Sequence, residues 1–198
     1  MITGKILRDS IISGANLLIS KKASVDELNV FPVPDGDTGT NMSMTIGAAK
    51  RDLANLPDDC TVEKVAAQTA SSMLRGARGN SGVILSLLFR GLSKKLKGAD
   101  HADGVLWAEA LQEGVDAAYK AVMKPAEGTI LTVSRLAAAK AMEAAQENNH
   151  IEFVQEAAIA EAKIALANTT EMNPVLKKAG VVDAGGKGWL VALEAMLS

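Results

Sequence analysis

The residues best placed to do chemistry begin with Pro34-Asp35-Gly36-Asp37-Thr38-Gly39-Thr40-Asn41. Two carboxylates separated by a single glycine can converge on one small volume, where their repulsion is costly unless a cation lies between them. Hard divalent ions suit such a pair. Mg²⁺ in particular takes one or two carboxylates, some waters and the oxygens of a substrate phosphate. Asp-Gly-Asp is also ordinary turn composition, and spacing alone leaves a solvated turn equally open. A calcium hand is excluded: with Asp35 as its first position, a glycine at the sixth and a glutamate at the twelfth are required, and Thr40 and Ile46 stand there.

A second segment, Gly76-Ala-Arg-Gly-Asn-Ser-Gly82, spaces glycines at every third position ahead of the apolar stretch that opens at Val83. Glycines let backbone N–H groups approach an anion at a helix start, and a phosphate is the natural guest. Arg78 adds a cation suited to the same anion. The segment is neither a Walker loop, which ends in Gly-Lys-Ser/Thr, nor a dinucleotide fingerprint, which follows a strand. A glycine-rich bend between helices is the alternative. Asp183-Ala-Gly-Gly-Lys-Gly188 offers a third such loop, equally readable as a helix terminator followed by a helix start. Co-occurrence joins the three. One loop suited to a metal and two suited to phosphates make up the parts of an Mg-nucleotide site.

Other reactive residues form no such group. His101 and His150 have no acid or cysteine at metal-ligand spacing, no Ser-His-Asp arrangement is suggested, and Cys60, the single cysteine, reads as structural. Met42, Met44 and Met73 fall on helical faces and are assigned to the core or to the wall of a pocket.

The elements that must position these loops are helices. Residues 2–20 carry apolar side chains at helical spacing. Residues 29–41 hold too many prolines and glycines for a helix or a central strand and form a loop of fixed shape. Helical texture then runs from Asn41 to Leu53, restarts through Val62, Val65, Ala66, Thr69 and Met73, and continues over Val83–Leu96, Asp103–Val122, Ile130–Gln146, Phe153–Leu166 and Trp189–Leu197. Thr129 is the expected N-cap of the Ile130 helix. About eight helices with short connections and no strand pair predict an all-α antiparallel bundle or barrel, with the loops of one end forming a nucleotide site.

Composition agrees. Hydrophobic residues make up 48% of the 198-residue chain but aromatics only 3%, so the core must be built from Ala, Leu, Val, Ile and Met. The formal charge of −2 and the absence of a basic stripe interleaved with aromatics argue against nucleic acid. No apolar run reaches the length of a membrane span, and a lone cysteine fits a reducing compartment, so the expected location is the cytoplasm. The whole of 1–198 reads as one domain, the N-terminal part of a longer protein.

Four segments together resemble a known family: Asn29 to Met42, Gly76 to Ser86, Met123 to Val133 (Met-Lys-Pro-Ala-Glu-Gly-Thr-Ile-Leu-Thr-Val) and Gly180 to Gly188 (Gly-Val-Val-Asp-Ala-Gly-Gly-Lys-Gly). They are similar to the N-terminal kinase domain of bacterial fatty acid kinase, which is itself related to the ATP-binding subunit of dihydroxyacetone kinase. The resemblance implies an eight-helix antiparallel barrel whose loops hold ATP or ADP with two Mg²⁺ ions. It implies Asp35 and Asp37 as metal ligands with a catalytic role, and Asn29 as a third ligand through its carbonyl oxygen. Thr38, Gly39, Thr40 and Asn41 would touch the metal-bound phosphates or nucleotide; Gly79, Asn80, Ser81 and Gly82 would hold phosphate; Thr129, Asp183 and Gly185 would line the nucleotide pocket.

The dihydroxyacetone kinase pattern has a further aspartate before the acidic pair and a histidine after it, where this chain has Asn29 and Thr38; the difference favours the fatty acid kinase branch. The implied reaction converts ATP and a fatty acid, presented by a separate fatty-acid-binding protein, into an acyl phosphate that feeds phospholipid metabolism. Further domains of the same polypeptide would contribute to turnover and to a homodimer. Two other readings stay open: a dihydroxyacetone-type phosphotransferase with tightly held ADP, and a non-catalytic nucleotide-sensing module.

Overall fold

The computed structural model describes residues 1–197, with side chains through Met196. Among them the fold is all helical. Its elements are α1 (Gly4–Ser20), α2 (Lys22–Glu27), α3 (Thr38–Leu53), α4 (Val62–Gly76), α5 (Gly79–Lys95), α6 (Gly104–Ala121), α7 (Ile130–Glu147), α8 (Ile151–Met172), α9 (Pro174–Ala179) and α10 (Ala184–Leu197). The eight long helices, from the 14 residues of α10 to the 22 of α8, are the expected eight. The two six-residue helices α2 and α9 are additions, too short to leave a readable period.

Local chemistry sets most of the starts. Thr3, Thr61, Asp103 and Thr129 are N-caps whose side chains accept from a backbone N–H of the first turn. Asn173 caps α9 in the same way, with Pro174 beginning that helix, and Gly180 ends it with a left-handed φ of 71°.

Helices adjacent in sequence pack side by side, and α10 returns to pack on α1, closing a ring. Because each connection is short, direction alternates around that ring. The starts of α3, α5, α7 and α10 therefore share one end of the bundle. At the other end Ile2 and Ala102 form an isolated antiparallel bridge, and Ile2, Ile6 and Met196 border a small cavity. No helix among the described residues is long and apolar enough to cross a membrane.

The core has the predicted composition. Leu7, Ile11, Leu18, Met42, Ile46, Met73, Leu85 and Leu92 are fully buried among many alanines, with Phe89 meeting Trp189 edge-on at 5.9 Å between ring centroids. Small residues allow this closeness: a Cβ on Gly91 would lie 2.3 Å from the carbonyl oxygen of Glu113, and one on Gly114 2.4 Å from that of Leu88. Met42 and Met73 are core as expected, but Met44 is 51% exposed on the outer face of α3, because Met42, Ile46, Ala49 and Leu53 turn another side of that helix inward. Cys60 is partly buried against the core.

Candidate functional site

The acidic segment is held by side chains from outside itself. Asn29 donates from Nδ2 to the carbonyl of Val33 at 3.1 Å, and its Oδ1 accepts from the N–H groups of Asp37 at 3.0 Å and Thr38 at 3.1 Å. Asp26, carried by α2, accepts from the N–H of Thr40 at 2.9 Å and from its hydroxyl at 2.7 Å. Between them these two side chains satisfy most of the first turn of α3, whose own N-cap Asp37 makes no side-chain cap bond. The Asp37 carboxylate is thereby left for other use. Gly36 has φ +67°, a left-handed turn that suits glycine and sets the backbone between the two acids.

Thr45 staples the next helix start to this one. It is fully buried on α3, donates its hydroxyl to the carbonyl of Asn41 at 2.8 Å, and accepts the N–H of Arg78 at 3.1 Å just before α5. Gly79 and Gly82 permit that approach: a Cβ on Gly79 would lie 2.4 Å from the Asn41 amide, and one on Gly82 2.4 Å from the Thr45 hydroxyl. The helix starts four residues earlier than expected, at Gly79 rather than Val83, so the second half of the glycine segment, Gly79 to Gly82, is its first turn, while Gly76 ends α4. Its N-cap, Arg78, supplies no side-chain bond, and the N–H groups of Gly79, Asn80 and Ser81 point from an uncapped helix end, which favours an anion.

A third carboxylate lies deeper. Asp183 is 5% exposed and accepts from the N–H of Gly186 at 2.8 Å and from the N–H of Ile130, so one side chain serves the first turns of both α10 and α7. Burial pushes its pKa up to about 6 against the pull of these two bonds. Here too the helix begins early, at Ala184 rather than Trp189, because Gly185 and Gly186 sit close against Ile130 and Val133.

These four helix starts enclose a cleft of about 780 Å³. Its wall includes Asn29, Asp35, Asp37, Thr38 and Asn41 from the acidic segment, Gly79, Asn80 and Ser81 from the start of α5, and Thr129, Asp183 and Gly185 from α7 and α10. Further along α5 the wall turns apolar, with Val83, Ile84 and Leu87 facing Val122, Ile130 and Leu131. Gly39, Thr40 and Gly82 stand behind the wall. Gly39 packs on Lys22 and Val25, Thr40 is bound to Asp26, and Gly82 lies against Thr45, so each shapes the site from the rear.

Two expectations need correction. Asn29 borders the cleft, but its Oδ1 is taken up by two backbone N–H groups, which leaves the expected third metal ligand without a free oxygen. Arg78 is exposed and absent from the wall; the cation that does line the cleft is Lys124. Lys124, Asp26 and Thr45 are site residues that sequence reasoning does not find. Lys124 stands inside the Met123 to Val133 segment, but nothing in its spacing singles it out there, and the partners of Asp26 and Thr45 lie 14 and 33 positions away.

The wall fits magnesium. Neither Asp35 nor Asp37 has a hydrogen-bond or ion-pair partner for its carboxylate among the described residues, both are hard oxygen donors, and both face one cleft. No cluster of three or more His, Cys, Asp or Glu side chains suited to a metal occurs among those residues. A pair of carboxylates is what Mg²⁺ uses when phosphate oxygens complete its shell.

Similarity to known proteins follows the same lines. The family model of the DAK2 domain matches residues 32–198, and the chain belongs to that family. It is 48% identical to the protein YloV of Bacillus subtilis over its whole length, covering 35% of that protein. It is 47% identical to an uncharacterized protein of Staphylococcus haemolyticus over 99% of the chain, again 35% of the relative. The chain thus spans about a third of the length of the curated relatives it matches. The crystal structure of dihydroxyacetone kinase from C. freundii in complex with AMP-PNP and Mg²⁺ has a similar fold, with TM-score 0.73 and 20% identity over 96% of this chain and 33% of that one. Its native form superposes with TM-score 0.68 at 22% identity.

Proposed function

We propose that residues 1–198 form one Mg-nucleotide-binding domain that supplies the ATP site of a kinase. The observation that carries this reading is the convergence on one cleft of two carboxylates without partners among the described residues, Asp35 and Asp37, and an uncapped helix start, Gly79 to Ser81. Asp35 and Asp37 hold the metal, which when bound neutralises phosphate charge and orients the terminal phosphoryl group. The N–H groups of Gly79, Asn80 and Ser81 receive phosphate oxygens, with Thr38 and Asn41 alongside. The apolar stretch from Val83 to Leu87, about 6 Å of helix at 1.5 Å per residue, takes the base against Val122 and Leu131. The AMP-PNP and Mg²⁺ bound by the dihydroxyacetone kinase of like fold support this assignment.

The acceptor is the one that the resemblance to bacterial fatty acid kinase implies. A fatty acid held by a separate binding protein is brought to the cleft mouth, a carboxylate oxygen attacks the terminal phosphorus of ATP, the bond to the bridging oxygen breaks, and acyl phosphate and ADP result. Such a transfer depends on positioning and charge neutralisation, so no general base is required of this domain. Parts of the protein beyond this domain take part in turnover, in keeping with the greater length of the relatives. A dihydroxyacetone-type phosphotransferase, favoured by the fold likeness alone, would instead keep its ADP through extensive dialysis.

Calorimetry with ATP, with and without Mg²⁺, tests the site. Asp35→Ala and Asp37→Ala are expected to abolish Mg-dependent binding while circular dichroism keeps its helical signal. Unchanged Mg-dependent affinity in both variants would overturn the metal assignment.

A further inference from the structure

The loop between α6 and α7 contributes Val122, Lys124, Ala126 and Thr129 to the cleft, and Lys124 is the one cationic side chain on the wall among the described residues. Because α6 packs against both α5 and α7, this loop lies between the helix start assigned to phosphate and that of α7. Lys124 is exposed and makes no ion pair among the described residues. The nearest acid in the chain, Glu127, is not available to it.

Glu127 is held from three sides. Its Oε1 accepts from the Arg135 guanidinium; its Oε2 accepts from the hydroxyl of Thr132 at 2.8 Å and that of Tyr119 at 3.2 Å. Arg135 also donates from Nε to the Tyr119 hydroxyl at 3.2 Å, and Thr132 accepts the N–H of Gly128 at 2.8 Å. Tyr119 is on α6; Thr132 and Arg135 are on α7. The acid thus ties the loop to both flanking helices three residues after Lys124. Burial opposes its charge, but the bonds from Thr132 and Arg135 outweigh this and keep it ionised below the usual glutamate range.

We infer that Lys124 is a phosphate-binding residue of the nucleotide cleft, and that the Glu127–Arg135–Tyr119–Thr132 cluster is the clamp that positions it and keeps its charge unpaired. This rests on the nucleotide reading of the cleft. The chemistry recognised is the polyphosphate: an anion of high charge facing two carboxylates needs compensating cations, and an ammonium on a flexible stem supplies a point charge to it. Glu127 would neutralise that ammonium if Arg135 did not occupy it. Glu127 and Arg135 therefore act through Lys124 and touch no ligand.

The test is calorimetry of Mg-ATP, Mg-ADP and AMP against the wild-type protein, Lys124→Gln, Lys124→Arg, Arg135→Gln and Lys124→Gln/Arg135→Gln, with thermal melting of each. Lys124→Gln is expected to weaken Mg-ATP binding about tenfold, the loss of one charge-assisted contact of roughly 1.4 kcal/mol, with a smaller loss for ADP and none for AMP. Lys124→Arg should restore most of the ATP affinity. Arg135→Gln, which releases Glu127 toward Lys124, should reproduce the ATP-selective loss, and the double variant should be no weaker than the worse single one. Equal affinity of wild type and Lys124→Gln for Mg-ATP overturns the role of Lys124. Losses that add in the double variant, or an Arg135→Gln loss equal for ATP and AMP, overturn the clamp. A wild-type protein that binds no nucleotide removes the nucleotide reading itself, a result distinct from either.

Discussion

Asp183 is an acid taken almost wholly out of water. An aspartate buried against two helix starts holds its proton more tightly in the folded chain than in the unfolded one, since its pKa rises to about 6. The sign follows from linkage: its contribution to stability is fully present below the ordinary carboxylate range and is lost as pH rises through about 6. Urea titrations of wild type and Asp183→Asn at about pH 4.5 and about pH 7.5, on either side of that value, isolate this contribution from those of other acids. The stability of wild type minus that of the variant should be larger at the lower pH. A difference that does not change with pH would contradict the burial argument. At this scale the sequence is partly legible. Two acids flanking Gly36 announce themselves, and Asp183 shows as the head of a glycine-rich loop, but its burial and its tie to the start of α7 appear only in the fold. Thr45 acquires meaning only from a neighbour the chain brings in from a distance, and Lys124 only from its place on the cleft wall.

The helices show why their starts are hard to place from sequence. Glycine is a poor helix former, so Gly79 to Gly82 and the pair Gly185 and Gly186 read as loop. In the fold the same residues begin α5 and α10: a side chain at Gly79 or Gly82 would collide with Asn41 or Thr45, and one at Gly186 would press on Val133 and Leu166. Tertiary contact overrides intrinsic preference there, whereas the periodic interiors of the same helices, which do not depend on such contacts, are legible. The element that pins the site is the start of α3. Asn29→Ala removes the acceptor of two backbone N–H groups and the donor to Val33, at a cost of about 1–3 kcal/mol for the groups left unsatisfied. Chemical denaturation should record that loss, and Mg-ATP affinity should fall with it although Asn29 is not assigned to the metal. A variant of unchanged stability would mean that the loop is fixed by other contacts.

At the scale of the molecule, the low aromatic content and the abundance of alanine point to a close-packed helical core, and the ring of long helices meets that expectation. Alternation of direction then assigns a role to each end. The end holding the starts of α3, α5, α7 and α10 carries every cleft residue; the other carries turns such as Lys97-Gly98, exposed and remote from the cleft. The closure of α10 on α1 also means that the order of helices is cyclic, since Ile2 and Met196 border one small cavity. Circular permutation is therefore open to this fold. A chain whose present ends are joined by a short glycine-serine linker and which is reopened between Lys97 and Gly98 should recover the parent's Mg-dependent ATP affinity in calorimetry. Helical permutants that had lost it would show that connectivity, beyond ring order, shapes the cleft. The ring has no privileged first helix, only a privileged end.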